Sequence, residues 1–477
     1  MNHKSCSVAA AVLAIGFTCP THADLLQHIR DHSSGGKILH LKLDHSTVRV
    51  QVTERRDQPA GRYAIRGVLD EPGDSFILCG DDDSAAGLIW HNNSCWRIVL
   101  RENSTRTYRL DDHIPTSSCA GGISVPQEGD DAPASGGVAG SCGDPNVIDI
   151  LVLVSDDAYQ EMKDLMSDFT TLANEVAVSI EIGNNTFAQS GLDTRLNLVH
   201  ARHIPASEGE PTLFALRSQS DNIIDWVHRL REYYGADLVQ MFQADTGGSA
   251  YMPQPENPQN PSFAFSVANA ISASMSPHGT HEIGHNLGCC HAPDDGNCSN
   301  PFYTYSYGRR FFGKSGAHLR TVMAYGDYTI TRIGAFTGPD VIWDGVPTGV
   351  GPDDPSGEPE SDNARTIAQN TQEVHEYRCN DGICEALGLG PFATDCNGNG
   401  IPDECEIAHH PSLDQDGNGR LDSCTCLADF NGDGEVNGGD LAAVLGGWGG
   451  TSADLNEDGV VDGADLATVL ASWGSCQ

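Results

Sequence analysis

Residues 281–291 read His281-Glu282-Ile283-Gly284-His285-Asn286-Leu287-Gly288-Cys289-Cys290-His291, and this stretch constrains the chain more than any other. His281 and His285 are four apart, so on a helix their imidazoles leave one face a turn apart and can converge on one ion. Glu282 is the neighbour able to take a proton from an attacking water. Gly288 can enter the left-handed region, ending the helix and turning the chain until His291 supplies a third ligand. Three histidines leave the fourth tetrahedral position of a zinc ion open, which is the arrangement of catalytic sites, whereas structural zinc sites are closed by four protein ligands.

The extended pattern HExxHxxGxxH, with Thr321-Val322-Met323-Ala324-Tyr325-Gly326 following 32 residues beyond His291, resembles the metzincin metallopeptidases. Together with SYGRRF at 306–311 and DNARTI at 362–367, these motifs look like the reprolysin-like branch, most similar to bacterial peptidyl-Asp metallopeptidases. The resemblance covers roughly 146–379. It implies an α/β catalytic domain with a twisted mixed sheet, zinc held by His281, His285 and His291, Glu282 as general base and then acid, and Met323 as an apolar floor under the imidazoles. Tyr325 matches a position where some metzincins carry an oxyanion-stabilising tyrosine; a packed aromatic is the other reading. The sequence departs from the adamalysin pattern in placing Ala292 and Pro293 between the third histidine and Asp294. The segment 327–336 should form part of the main side-chain pocket, and Arg332 within it either receives an acidic substrate side chain or is a structural arginine.

At 477 residues the chain is long enough for several domains. Residues 1–23 carry Lys4, a short apolar core from Ser7 to Phe17 and small residues at Thr21-His22-Ala23, the pattern of a secretory signal. A soluble exported protein is expected, and its sixteen cysteines suit export. Cys79 with Cys95, Cys290 with Cys298 and Cys379 with Cys384 are near enough in sequence to pair. Residues 24–119 alternate short apolar runs with turns and predict a β-rich propeptide. Residues 120–145, rich in Gly, Ala, Ser and Pro, form a cleavable linker. By resemblance to adamalysin zymogens, the Cys119 thiolate is placed to occupy the open zinc position; a disulfide with Cys142 is the alternative.

Within 146–379, the apolar run 147–154 predicts a strand buried on both faces. Helical spacing is expected over 158–188, 223–234 and 365–378, and strands over 196–201, 236–242 and 264–267. The last of these is expected to be the edge that pairs with substrate. Ser276 and Pro277 are expected to cap the metal helix.

Residues 380–394 read as linker. Beyond them, 395–477 hold 16 Asp plus Glu against Arg420 alone. Asp395, Asn397, Asn399, Gly400, Asp403 and Glu406 fall at the ligand spacing of an EF-hand-type calcium loop. Asp414, Asp416, Asn418, Gly419 and Asp422 repeat its start. Asp429, Asn431, Asp433, Asn437 and Asp440 make a third loop, and Asp454, Asn456, Asp458, Asp462 and Asp465 a fourth. The loops of 395–426 resemble thrombospondin type 3 repeats. The duplicated loop-helix units of 427–477, each ending near Trp448 or Trp473, resemble a type I dockerin, which implies a cohesin-like partner; a calcium-stiffened spacer is the alternative. The net charge of −39 argues against nucleic acid and anionic membranes as partners. The competing function is a calcium-dependent adhesion or scaffold protein with an inactive metzincin-like domain, and intact Glu282 argues against it.

Overall fold

The computed structural model describes residues 38–110, 122–124 and 142–475, with interruptions of at most five residues. The signal segment, Cys119, most of the 120–145 linker, and Asp416, Asn418, Asp422, Asp433, Asp454, Asn456 and Asp458 lie outside the described residues.

The N-terminal region is β-rich. Strands β1 (Ile38–Leu43), β2 (Ser46–Asp57), β3 (Tyr63–Val68), β4 (Ser75–Gly80), β5 (Ser84–His91), β6 (Ser94–Arg101) and β7 (Ser104–Arg109) pair consecutively and antiparallel. Period-2 alternation assigns Phe76, Leu78, Ile89, Ile98 and Leu100 to one face, where they pack into a core of their own. The opposite face carries Ile77, Cys79, Ala86 and Leu88, which join the core of the next domain. β4 is buried along its whole length for this reason.

The second sheet has the order β10-β9-β11-β13-β12-β8, built from β8 (Gly122–Ser124), β9 (Val147–Val154), β10 (Arg195–His203), β11 (Leu238–Gln243), β12 (Ser249–Met252) and β13 (Phe265–Asn269). β9, β10, β11 and β13 are mutually parallel, and their near-continuous Val, Ile and Leu content fits burial by helices on both faces. β12 is antiparallel to β13. The segment expected at the edge, 264–267, is therefore interior as β13, and β12 lies outside it. The mixed α/β domain anticipated from sequence is present, and the longest expected helix differs for a clear reason. The 158–188 helical pattern divides into α1 (Asp156–Leu165) and α2 (Leu172–Gln189), because Thr171 is extended and its side chain accepts from the Asn174 N–H as an N-cap.

Further helices of the domain include α3 (Trp226–Tyr233), α4 (Ala270–Met275), α5 (His278–Asn286) and α6 (Asn363–His375). Ser276 does not cap α5: it terminates α4, with its hydroxyl donating to the Ser272 carbonyl, and Pro277 precedes α5 without a side-chain cap. Among the described residues no helix is long and apolar enough to cross a membrane.

Four disulfides are formed among the described residues: Cys142–Cys379, Cys290–Cys298, Cys384–Cys405 and Cys396–Cys424. The expected Cys290–Cys298 bond is among them. Cys79 keeps a free thiol, so no bond to Cys95 forms, and Cys379 bonds Cys142 rather than Cys384. That last bond also removes Cys142 as a partner for Cys119. Residues 380–394, read as linker, hold a short helix at Ile383–Ala386 and are tied to the first calcium-type loop through Cys384–Cys405. This loop leads into α7 (Asp403–His409) and lies on the α/β domain, where the Arg202 guanidinium meets Asp395 at 3.3 Å and Ile401 and Cys405 enter the core around α3. At the C-terminus, α8 (Gly438–Gly446) and α9 (Gly463–Ala471) pack together over Val444, Val461 and Val469.

Candidate active site

α5 brings the two motif histidines together, and Gly288 brings the third. Its φ of +88° ends the helix, with the Gly288 N–H donating to the His285 carbonyl and the Cys289 N–H to the Gly284 carbonyl. The His291 Nε2 consequently lies 3.0 Å from His281 Nε2 and 2.9 Å from His285 Nε2. His281 Nδ1 is 2.8 Å from the Val322 carbonyl and His285 Nδ1 2.8 Å from the Cys289 carbonyl. Those carbonyls can only accept, so each Nδ1 carries the proton and each Nε2 presents its lone pair to the common centre. Two such lone pairs, with the Nε2 of His291 beside them, converge in a buried site that fits a divalent cation. Burial, followed by the neighbouring imidazoles, holds His281 and His285 well below the usual histidine range, and burial then Arg332 pulls His291 down to about 4. All three are thereby kept in the neutral, ligating form.

Met323 is fully buried below α5. A β-carbon added at Gly284 would stand 2.7 Å from its Sδ, so only glycine lets the helix approach the methionine this closely. The Tyr325 ring centroid is 4.1 Å from that of His291. Among the described residues His291 Nδ1 has no hydrogen-bond partner, which agrees with the displaced aspartate noted in the sequence. Asp295 takes up another task. Its carboxylate accepts from the backbone N–H of Ala292 and of Tyr325, both at 3.0 Å, and pairs with Arg310, so it staples the third-histidine loop to the methionine turn.

Glu282 is fully buried beside the triad. Gly248, with φ +115°, packs against it: a β-carbon there would stand 2.5 Å from Glu282 Oε1 and 2.9 Å from His278 Nε2. His278 precedes Glu282 by one helical turn and is itself buried, held neutral by burial and then by the Arg332 charge, with its acidity at about 3. Sequence reasoning passed over Gly248, His278, Asp295 and Arg310. The i, i+4 spacing of His278 and Glu282 was a readable signal; the contributions of Gly248 and Asp295 depend on long-range packing. Arg332 lies in a short strand at Thr331–Arg332 paired to His318–Arg320. Its positive charge adds to burial in holding His278 and His291 down, and contributes less at His281, where burial and the neighbouring imidazoles come first.

The carboxylates of the calcium-type loops accept from the loops' own backbone N–H groups and amides. In the first loop, Asn397 and Asn399 side chains both donate to Glu406, and Asp395 accepts from the Asn399 and Gly400 N–H groups. Asp403 accepts from the Cys396 N–H. Asp414 accepts from the Gly419 N–H. Asp440 is buried and accepts from Phe430, Asn431 and Asn437, and Asp465 accepts from Leu455 and Asp462 in the same way.

Residues 173–292 match the family model described as metallo-peptidase family M12B, reprolysin-like. With the histidine triad in place, the chain carries a metallopeptidase-like domain. Among curated proteins it is similar to the peptidyl-Asp metalloendopeptidase of Stenotrophomonas maltophilia strain K279a, 26% identical over 59% of this chain and 66% of that protein. It is 24% identical to the one from strain R551-3, over 65% of this chain and 72% of the relative. The peptidyl-Asp metalloendopeptidase of Pseudomonas aeruginosa is 28% identical over 38% of this chain and 32% of its own length. Among solved structures, metalloproteinase-II from Bacteroides fragilis aligns with a TM-score of 0.39 at 11% identity, covering 61% of this chain and 90% of that one.

Proposed function

We propose that this protein is an exported zinc metalloendopeptidase, made as a latent precursor, that cleaves protein chains beside acidic residues. The observation that carries the reading is the convergence of three neutral Nε2 atoms, 2.9 and 3.0 Å apart, beside a buried glutamate. His281, His285 and His291 would hold the zinc ion, which supplies Lewis acidity to the scissile carbonyl and to the attacking water. Glu282 takes the water's proton and delivers it to the leaving amine as the C–N bond breaks. Tyr325 is the proposed donor to the developing oxyanion, a role supported by its ring lying beside that of His291. An inactive adhesion protein would have no need of an intact base and ligand set.

β12 offers its outer edge to an extended peptide, which adds as a strand. In the intact chain that edge is taken by β8, running parallel to it with Ala250 opposite Gly122. This supports latency, with Cys119 three residues upstream as the candidate zinc ligand of the precursor. Arg332 supports recognition of an acidic side chain, in keeping with the printed names of the relatives. The four disulfides suit an oxidising, extracellular location.

The acidic loops are proposed to bind calcium through the residues named above. The helices that follow the last two loops, with the turns just beyond them, expose Leu445, Trp448, Leu470 and Trp473, each about half accessible, which supports a docking module for a cohesin-like partner. Calorimetric titration with calcium, repeated in EGTA, tests the loops; absence of a calcium-dependent heat and of a rise in Tm overturns this part.

The specificity test uses the full chain with a sequence-specific protease site placed in the linker, cut, loaded with zinc and given a proteome-derived peptide mixture. Product termini read by mass spectrometry should show Asp or Glu enriched beside the cut, and Arg332→Met should erase that enrichment while cleavage continues. Termini without acidic enrichment in the parent would refute acidic specificity.

A further inference from the structure

The strand to which α2 is tied and the strand proposed to pair with substrate stand towards opposite ends of the second sheet. β10 is one edge strand, and α2 is fastened to it where Asn184 Nδ2 donates to the Leu196 carbonyl. β12 and β8 are at the other end of the strand order. The N-terminal sheet sits on α2. Its outer residues Ile77, Ala86 and Leu88 form one continuous core with Val178 and Ile182 of that helix.

Polar groups fix the register of this contact. Arg97 Nη2 reaches both oxygens of Glu175 at 2.6 and 2.7 Å, and both side chains are fully buried. Arg56 pairs with the buried Glu181, and Arg66 Nη1 donates to the Asn184 carbonyl at 2.9 Å. Asn174 Nδ2 reaches Asp81 Oδ2 at 3.1 Å and Ser84 Oγ at 3.2 Å. Arginines stand on the sheet and carboxylates on the helix. Water would solvate these charges on separation, so the ion pairs set specificity while the shared apolar core supplies affinity. A propeptide built to leave after cleavage would not need this. Released, the sheet would expose Ile77 and Leu88, and α2 its apolar counterpart.

We infer that residues 38–110 are a permanent subunit of the mature enzyme: once the linker is cut, the sheet stays on α2 as a separate noncovalent chain, and only β8 leaves the edge of β12. This rests on the latency reading above. It makes cleavage and dissociation separate events, with an active two-chain enzyme as the product. A peptidase beginning at residue 143 would, for the same reason, lack the partner of its α2 face.

The test takes the full chain with a sequence-specific protease site within residues 128–136, cuts it, and runs the product on size exclusion at about 1 μM in 0.5 M salt. A non-reducing denaturing gel checks that the two fragments are not disulfide-linked. Co-elution at the parental volume is expected, and separate elution of the fragments would overturn the inference. Glu175→Gln should raise the dissociation constant of the cut complex about 10- to 100-fold, the scale for removing one charge from a buried hydrogen-bonded pair. Leu88→Asp, placed in the apolar contact, should release the sheet outright; a cut Leu88→Asp protein that still co-elutes would equally overturn it. Peptide turnover separates the two readings: absence of turnover by both the co-eluting complex and the fragment freed by Leu88→Asp sinks the latency reading, whereas turnover by the freed fragment with none by the co-eluting complex sinks this one.

Discussion

Replacing Gly248 with alanine should disable the site without touching a ligand. At φ +115° the backbone is in a region where an L side chain costs about 1–2 kcal/mol. The new methyl would also stand 2.5 Å from Glu282 Oε1 and 2.9 Å from His278 Nε2. Both neighbours are buried, so neither can swing into solvent, and overpacking of this kind costs about 1–3 kcal/mol. Together the two effects predict a loss of about 2–5 kcal/mol, relieved in part by turning the Glu282 carboxylate aside. A misplacement of about 1 Å in a reacting group costs on the order of 100-fold in rate. The assay is kcat and KM on a peptide substrate, with zinc content by mass spectrometry and Tm by calorimetry. The triad is not displaced, so Gly248→Ala should retain stoichiometric zinc with kcat down about 100-fold and KM nearly unchanged. Parental kcat in this variant would refute the claim that Gly248 seats the general base.

Other consequences are open to direct measurement. His200 is buried, stacked on Tyr234, and held by burial at about 3, so the unfolded chain binds its proton first and stability is lost as pH falls from 6.5 towards 3. His200→Phe should therefore lose about 2 kcal/mol less than the parent between pH 6.5 and 4.5 in urea unfolding; equal losses would refute this. The Cys142–Cys379 bond closes a loop of more than two hundred residues, and replacing both cysteines with serine should cost about 5 kcal/mol in the chain-entropy account, read from the shift in denaturant midpoint. Met323→Ala removes the support below α5 and should cost about 2–5 kcal/mol and weaken zinc retention against a competing chelator, whereas Met323→Leu should do little of either.

Local signals carried much of this molecule. The spacing of His281, His285, Gly288 and His291 defined helix, turn and ligand set together, because each depends on residues within one or two turns. Val147–Val154 was legible to the residue, since a strand buried on both faces reads as an unbroken apolar run. What escaped was set by tertiary contact. Phe265–Asn269 and Ser249–Met252 are both short and apolar, and which one forms the outer edge depends on pairing order rather than composition. The break between α1 and α2 rested on one cap, Thr171, inside an otherwise helical pattern. Cys142 and Cys379 lie 237 residues apart, beyond the reach of any proximity argument. The alternation of β3 to β6 was visible, yet nothing local disclosed that their second face, with Ile77, Leu88 and Arg97, belongs to α2.

The most direct test of the central claim is Glu282→Gln in the zinc-loaded, linker-cut enzyme. Glutamine keeps the shape of the side chain and leaves the three histidines in place, so zinc content and Tm should match the parent. The capacity to accept and return a proton is lost, and kcat should fall about a thousandfold. Peptide cleavage at the parental rate by Glu282→Gln, or no cleavage by a folded and zinc-loaded parent, would contradict the account.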